Sequence, residues 1–235
     1  MANTYLTKTF GSAGTRTKYT ISVWVKRGEL GSTQCIFSAG TDANHSMTIS
    51  FNGGDDRLYW NSYSNNGASY DYFLNCTRRF RDTSAWYHIV CAYDSTQGTS
   101  SNRQKIYVNG VQETAFETET YSSVNYADYA FNNIVHEIGQ DVGNGSRFFN
   151  GSMSHYYGID GLAYPASTFG STDATSGIWK INTSPSVTYG TNGFFILKDG
   201  NTITDSSPNS NNFSLGGGTL TNTEDCPDNN FSTLN

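Results

Sequence analysis

Trp86-Tyr-His-Ile-Val-Cys-Ala-Tyr93 decides the fold class, because in extended form it is apolar on both faces. A strand with one wet face alternates apolar and polar residues; one with two apolar faces lies between two layers. Working outward, Tyr19-Thr-Ile-Ser-Val-Trp-Val-Lys26 alternates, with Tyr19, Ile21, Val23 and Val25 on one side. Downstream, Gln104-Lys-Ile-Tyr-Val-Asn109 runs into Asn109-Gly110, the strongest hairpin signal in the chain. Met47 to Phe51, the turn Asn52-Gly-Gly-Asp-Asp56 and Arg57-Leu-Tyr-Trp60 form a second hairpin pattern. Thr4 to Phe10, Ile134 to Ile138, Arg147 to Phe149, Met153 to Ile159 and Gly193 to Leu197 read as further strands. Many short strands separated by Gly and Asn turns predict an all-β, two-sheet antiparallel β-sandwich of jelly-roll type.

Composition agrees. Ser, Thr, Asn and Gly make up about 44% of the 235 residues, well above ordinary usage. Leu and Glu, the material of long helices, are scarce. Sixteen Tyr, 14 Phe and 4 Trp supply enough apolar surface for a core and argue against disorder. The net charge is −6 and the Lys and Arg residues are scattered, so nucleic acid is a poor partner. No apolar window has the length of a membrane span, and the opening residues lack the apolar run of a secretory signal. Cys35, Cys76, Cys91 and Cys226 match no zinc spacing and are expected as free thiols. The reading is one domain over residues 1–235, with a strand-rich core over about 1–200 and a polar, mostly extended segment over 201–235.

Binding chemistry is carried by aromatic residues. Tyr59-Trp-Asn-Ser-Tyr-Ser-Asn-Asn-Gly-Ala-Ser-Tyr-Asp-Tyr-Phe73 crowds Tyr59, Trp60, Tyr63, Tyr70 and Tyr72 among amides, hydroxyls and Asp71. Sugars stack C–H faces on such rings while amides and carboxylates take their hydroxyls. A second cluster, Tyr121, Tyr126 and Tyr129, lies in the long polar stretch Gln112 to Asn133, which has room for one short strand. Tyr and Trp are equally the residues of protein interfaces and of cores, so three readings stand: glycan site, subunit contact or core filling. Calcium needs about six to eight oxygen ligands, and Asp55, Asp56, Asp141 and Asn144 are the candidates for part of such a set. The same residue types are what hairpin turns require.

Catalytic constellations are missing. The six Glu residues include Glu117 and Glu119 in a Thr-rich stretch read as loop, and Glu137 four residues before Asp141. A retaining glycosidase needs two carboxyls about 5–5.5 Å apart. No Ser lies in a GxSxG elbow, and Gly216-Gly-Gly218 lacks the Lys of a phosphate loop. The expectation is therefore a non-enzymatic protein.

Four segments, taken in order, resemble the concanavalin A-like lectin/glucanase superfamily in its laminin-G-like jelly-roll branch. They are Tyr19-Thr-Ile-Ser-Val-Trp-Val-Lys-Arg27, Trp86-Tyr-His-Ile-Val-Cys-Ala-Tyr-Asp94, Lys105-Ile-Tyr-Val-Asn-Gly-Val111 and Phe149-Asn-Gly-Ser-Met-Ser154. More narrowly, the chain is similar to virion structural proteins of marine and cyanobacterial tailed phages. Trp24-Val-Lys-Arg27, Ile159-Asp-Gly161, Gly177-Ile-Trp-Lys180, Tyr189-Gly-Thr-Asn-Gly-Phe194 and Cys226-Pro-Asp-Asn-Asn-Phe carry that similarity. Gly158 departs from it, standing where a bulky apolar residue is common.

The resemblance implies a protein displayed on a virion, as capsid decoration, appendage or tail fibre. Its implied partners are other virion proteins, further copies of itself and a host cell-surface glycan. Phe213, Phe231 and Leu234 would then be anchors of an assembly tail. The alternatives are a lectin-like adhesin and, further off, a polysaccharide-degrading hydrolase.

Overall fold

A computed structural model describes residues 3–64, 69–198 and 200–227. The strands are, in chain order, β1 (Tyr5–Thr9), β2 (Lys18–Arg27), β3 (Gln34–Asp42), β4 (His45–Phe51), β5 (Arg57–Tyr63) and β6 (Tyr70–Arg79). Next come β7 (Tyr87–Asp94), β8 (Gln104–Val108), β9 (Val111–Gln112), β10 (Phe116–Thr120) and β11 (Val135–Ile138). The last are β12 (Gly151–Asp160), β13 (Gly170–Thr172), β14 (Trp179–Ile181), β15 (Phe194–Ile196) and β16 (Ser214–Gly217). They pair antiparallel into an eight-stranded sheet, β10-β6-β5-β4-β3-β11-β1-β16, and a six-stranded sheet, β15-β12-β2-β7-β8-β9. β13 and β14 form a separate hairpin.

The main core lies between the two large sheets. Tyr19, Ile21, Val23 and Val25 of β2 and Ile89, Cys91 and Tyr93 of β7 meet Phe37, Met47, Ile49, Phe51 and Leu74 of the opposite sheet. The other face of β7 explains why its sequence is apolar twice over. Val90 belongs to a second cluster with Tyr157, Ile159 and Phe195, covered by Ala166 and Phe169 of the segment after β12. Trp24 shares this outer face and is buried by stacking on His88, ring centroids 4.8 Å apart. Trp86 is buried too, one residue before β7 begins.

Asn109-Gly110 makes the β8–β9 turn with φ of 48° and 82°, the left-handed pair that a two-residue hairpin uses. Cys35, Cys76 and Cys91 are buried thiols outside any disulfide. Two readings need correction. Arg147 to Phe149 is not a strand: it is irregular chain that turns back across β3, where Cys35 N–H donates to Arg147 O at 2.8 Å. Glu117 and Glu119 lie not in a loop but on β10, the edge strand.

The segment after residue 200 packs on its own domain. β16 extends the eight-stranded sheet beside β1. Phe213 is core, its ring 4.7 Å from that of Phe194, and is no free anchor for assembly. The carboxylate of buried Asp205 accepts the Phe195 and Ser207 N–H groups at 2.8 Å each, tying this polar chain to β15. Phe231 and Leu234 lie outside the described residues.

At Gly158 of β12 the space a side chain would need is taken by Phe194. A Cβ at Gly158 would lie 2.3 Å from the Phe194 ring. Phe194 is itself enclosed by Tyr156, Phe131 and Phe213. The bulk beside β12 at this point comes from β15. Gly158→Ala should therefore destabilise the fold by about 1–3 kcal/mol, as overpacking of a filled core does. Urea unfolding checks this, and Phe194→Leu in the same chain should recover part of the loss.

Candidate functional site

The pairing register of the eight-stranded sheet sets one residue from every strand in a single line. In order across the sheet these are Thr120, Phe73, Asn61, Thr48, Ser38, Glu137, Thr7 and Ser214. Their chain neighbours on the central strands point into the core: Trp60 and Ser62 beside Asn61, Met47 and Ile49 beside Thr48, His136 and Ile138 beside Glu137. The line therefore runs along the outer face, over about 34 Å at the usual strand spacing.

One end of the line is aromatic. Tyr59 packs edge-on against Phe73 at 5.1 Å, Phe73 stacks on Tyr70 at 4.5 Å, and Tyr70 lies 4.3 Å from Tyr63. Tyr70 is the exposed member of this strip. The middle is neutral and polar, with Thr48 Oγ1 donating to Asn61 Oδ1 at 2.9 Å. Ser38 Oγ donates to Gln140 O and accepts from Val142 N–H, which holds the turn after β11 over this part of the face.

Toward the other end, before Thr7 and Ser214, stands the line's one carboxyl. Glu137 is nearly buried, and its Oε2 has no hydrogen-bond partner. Burial, with the Asp141 charge adding to it, pushes its carboxyl up to about 7. Asn75 Oδ1, one row along on β6 opposite Tyr59, and Gln140 Oε1 are likewise buried acceptors without a donor. Unpaired acceptors on the same sheet face as partly exposed rings suit a ligand that brings hydroxyl donors and a C–H face.

Of the nine aromatic-cluster candidates, Tyr59, Tyr63 and Tyr70 stand on this outer face. Trp60 and Tyr72 do not: the two-residue period turns both inward, and both are fully buried. Asp71 is engaged by Ser64 Oγ at 2.6 Å and by Tyr126 OH at 2.9 Å. Tyr126, Tyr121 and Tyr129 pack against the central core from the β10–β11 connection, and Tyr121 OH donates to Glu119. The two clusters meet at Tyr126, whose OH bonds Asp71 and whose ring lies edge-on to Tyr72 at 6.4 Å, but on the core side of the sheet and not on the outer face. Asn61, Thr48, Ser38, Phe73, Asn75 and Glu137 are the additions. Their signal was the polar half of the alternation, readable only once the strands were paired.

The calcium candidates do not fit a cation. The Asp56 carboxylate is held by the guanidiniums of Arg27 at 3.2 Å and Arg81 at 3.1 Å. Asp141 takes Arg147 at 2.8 Å and Asn144 Nδ2 at 2.6 Å, so both residues are spent on closing their own turn. Asp55 accepts from Tyr59 OH and lies 3.7 Å from Arg57. Among the described residues no three acidic, His or Cys side chains gather around one point. His88 and His136, with rings pushed down to about 3 and about 4 by burial, are neutral sheet residues. Trp179 Nε1 donates to His88 Nδ1, leaving His88 Nε2–H to bond Ser22 Oγ.

A two-layer sandwich with a long, polar and aromatic outer sheet face defines a lectin-like domain. The chain belongs to the concanavalin A-like lectin/glucanase superfamily, whose family model matches residues 2–157. No curated protein matches the chain. Among solved structures, it is similar to domain 4 of a GH43 extracellular arabinanase from Geobacillus stearothermophilus, in complex with arabinotriose. That match has 20% identity over 65% of each chain and a TM-score of 0.46. A heptameric SAP-like pentraxin from Limulus polyphemus matches at 18% identity over 83% of this chain and 89% of its own, TM-score 0.49. The CBM40 of a Ruminococcus gnavus IT-sialidase, bound to α2,3-sialyllactose, matches at 16% identity over 65% of this chain and 91% of its own, TM-score 0.44.

Glu137 makes stability depend on pH in a direction that can be stated. Its folded carboxyl titrates near 7, above the unfolded value of about 4.3. The native state thus holds this proton more tightly than the unfolded chain, so the contribution is full below about 4.3 and is lost as pH rises through about 7. Glu137→Gln should flatten the decline of the melting midpoint between these limits and raise the midpoint at pH 8. Thermal melts across that window check both.

Proposed function

We propose that this chain is a non-catalytic carbohydrate-binding module whose site is the outer face of the eight-stranded sheet. The observation that carries the reading is the line from Phe73 to Glu137. Along it, the strip of Tyr59, Phe73, Tyr70 and Tyr63 offers ring faces. Asn75 beside the strip, and Gln140 and Glu137 farther along the sheet, present buried oxygen acceptors with no donor. A glycan supplies what both lack, and the turn over Ser38 limits it to a short run of sugars along the strip. Membership of a lectin and glucanase superfamily supports the same choice.

Binding without cleavage follows from the acids. Glu137 is the one carboxyl in the line, and Asp141 is bound to Arg147. A second carboxyl free to act as nucleophile or base is not supplied by either, and retaining or inverting hydrolysis needs two. The similarity to phage virion proteins supports a setting for this module: many copies on a particle, where weak single contacts gain from avidity.

Glycan-array binding followed by titration of the best hit tests the reading. Tyr70→Ala should weaken that hit about tenfold, at a stability cost of about 0.5–1.5 kcal/mol from the lost ring contacts with Phe73 and Tyr63, which leaves the chain folded. Reducing-sugar release from the bound polysaccharide should stay at the level without protein. Unchanged affinity in Tyr70→Ala, or release of sugar that Glu137→Gln abolishes, would contradict the proposal.

A further inference from the structure

A cavity of about 1000 Å³ lies away from the aromatic strip and under the last part of the chain. Its floor is made by Leu6, Ile138, Phe149 and Met153, all part of the central core or packed against it. The rings of Tyr5 and Phe148, 6.0 Å apart, and the Trp86 indole add aromatic wall. Its roof is the strap Thr219–Cys226, which lies beyond the stretch matched by the family model.

The strap is fastened at two ends and crosses the opening between them. At the near end Thr4 Oγ1 donates to Thr219 O at 3.1 Å and accepts from Thr219 N–H at 3.1 Å. Asn201 Nδ2 donates to Leu220 O at 3.3 Å. The far end depends on one carboxylate. Asp225 Oδ2 receives Lys26 Nζ at 2.6 Å, and Oδ1 receives Trp86 Nε1–H at 2.9 Å. Every one of these bonds has a side chain on at least one side, so the strap is placed by side chains and not by a sheet ladder.

The lining selects a chemistry. A lipid chain needs continuous apolar walls, but here hydroxyls and amides of Thr33, Asn150, Ser152, Asn201 and Asn222 alternate with the apolar floor. An inorganic anion needs unpaired cations, yet Arg147 is bound to Asp141 and Lys26 to Asp225. Glu29 accepts from Asn150 Nδ2 at 2.8 Å. Lys198 and Glu224 on the lining are of opposite sign. What remains is a neutral, amphipathic, many-hydroxyl ligand, and cavities of this size hold one of drug-like bulk, about two to four sugar units.

We propose that the cavity beneath the strap is a second saccharide site, taking a short neutral oligosaccharide, with the strap as its movable wall and Asp225 as the latch. The inference goes beyond the outer-face reading and does not require it, since the two sites share no residue of the aromatic strip.

The test uses the full chain labelled with 5-fluorotryptophan, the Trp86 signal being assigned by Trp86→Phe. Cellotetraose, xylotetraose and laminaritetraose are the probes. At least one should shift the Trp86 resonance while leaving that of core-buried Trp60 in place. Asp225→Ala should weaken that probe about tenfold or more, and Ser152→Phe, which fills the lining, should abolish the shift. Asp225 is a surface group, so its variant decides the matter should Ser152→Phe lower the melting midpoint. Tyr70→Ala should leave the Trp86 response intact. Absence of any Trp86 shift at about 10 mM probe overturns the inference, as does a shift undiminished in Asp225→Ala. Probe binding lost in Tyr70→Ala and kept in both cavity variants would also overturn it, while leaving the outer-face site standing.

Discussion

The sandwich is pinned through one buried carboxylate. Asp128, fully buried in the β10–β11 connection, accepts Tyr19 OH at 2.5 Å, Tyr72 OH at 2.7 Å, Tyr129 N–H at 2.8 Å and Ser62 Oγ–H at 3.3 Å. Tyr19 belongs to the six-stranded sheet, and Tyr72 and Ser62 to the eight-stranded one, so this acid ties both sheets to the loop between them. Burial raises its carboxyl above the usual range and raises both phenols further, which keeps the tyrosines neutral donors. An unpaired charge there would be costly; four donors offset that cost and make any loss of geometry expensive. Arg16 secures the loop from outside by donating to the carbonyls of Asp128 and Ala127.

The outer face depends on that knot by elimination. Tyr72 must point inward to reach Asp128, Trp60 packs edge-on against Tyr72 at 5.7 Å, and Tyr19 stacks on Tyr93 at 4.7 Å. With those rings committed to the interior, the strand period sends Tyr59, Asn61, Tyr63 and Phe73 outward. The line of polar side chains and the aromatic strip are therefore the complement of the core, and the unpaired acceptors along it belong to groups the core could not use.

Much of this was legible in the chain. The doubly apolar run at Trp86 to Tyr93 foretold a strand covered on both sides, and Val90 with Phe169 shows the second cover. Asn109-Gly110 foretold its own turn. The aromatic crowding from Tyr59 to Phe73 was visible as well, but not which rings face out, because composition is blind to the two-residue period until a register fixes it. Asp128 looked like one more polar residue in a Tyr-rich loop, since its partners Tyr19 and Tyr72 are distant in sequence. Phe213, surrounded by Asn and Ser, looked like tail; only the gap beside Phe194 makes it core. Pairing of Asp56 with Arg27 and of Asp141 with Arg147 was hidden in the same way, and it turned two apparent cation loops into ion-paired turns.

A double-mutant cycle between Asp128 and Tyr72, read by urea unfolding, tests the pinning most directly. Asp128→Ala should cost about 3–5 kcal/mol, because it leaves the buried Tyr19 and Tyr72 hydroxyls without their acceptor, at about 1–3 kcal/mol each. Tyr72→Phe in that background should cost much less than it does alone, with a coupling energy above about 1 kcal/mol. Costs that add to within about 0.5 kcal/mol would show that the carboxylate and the phenol act separately, and that the two sheets are held by apolar packing alone.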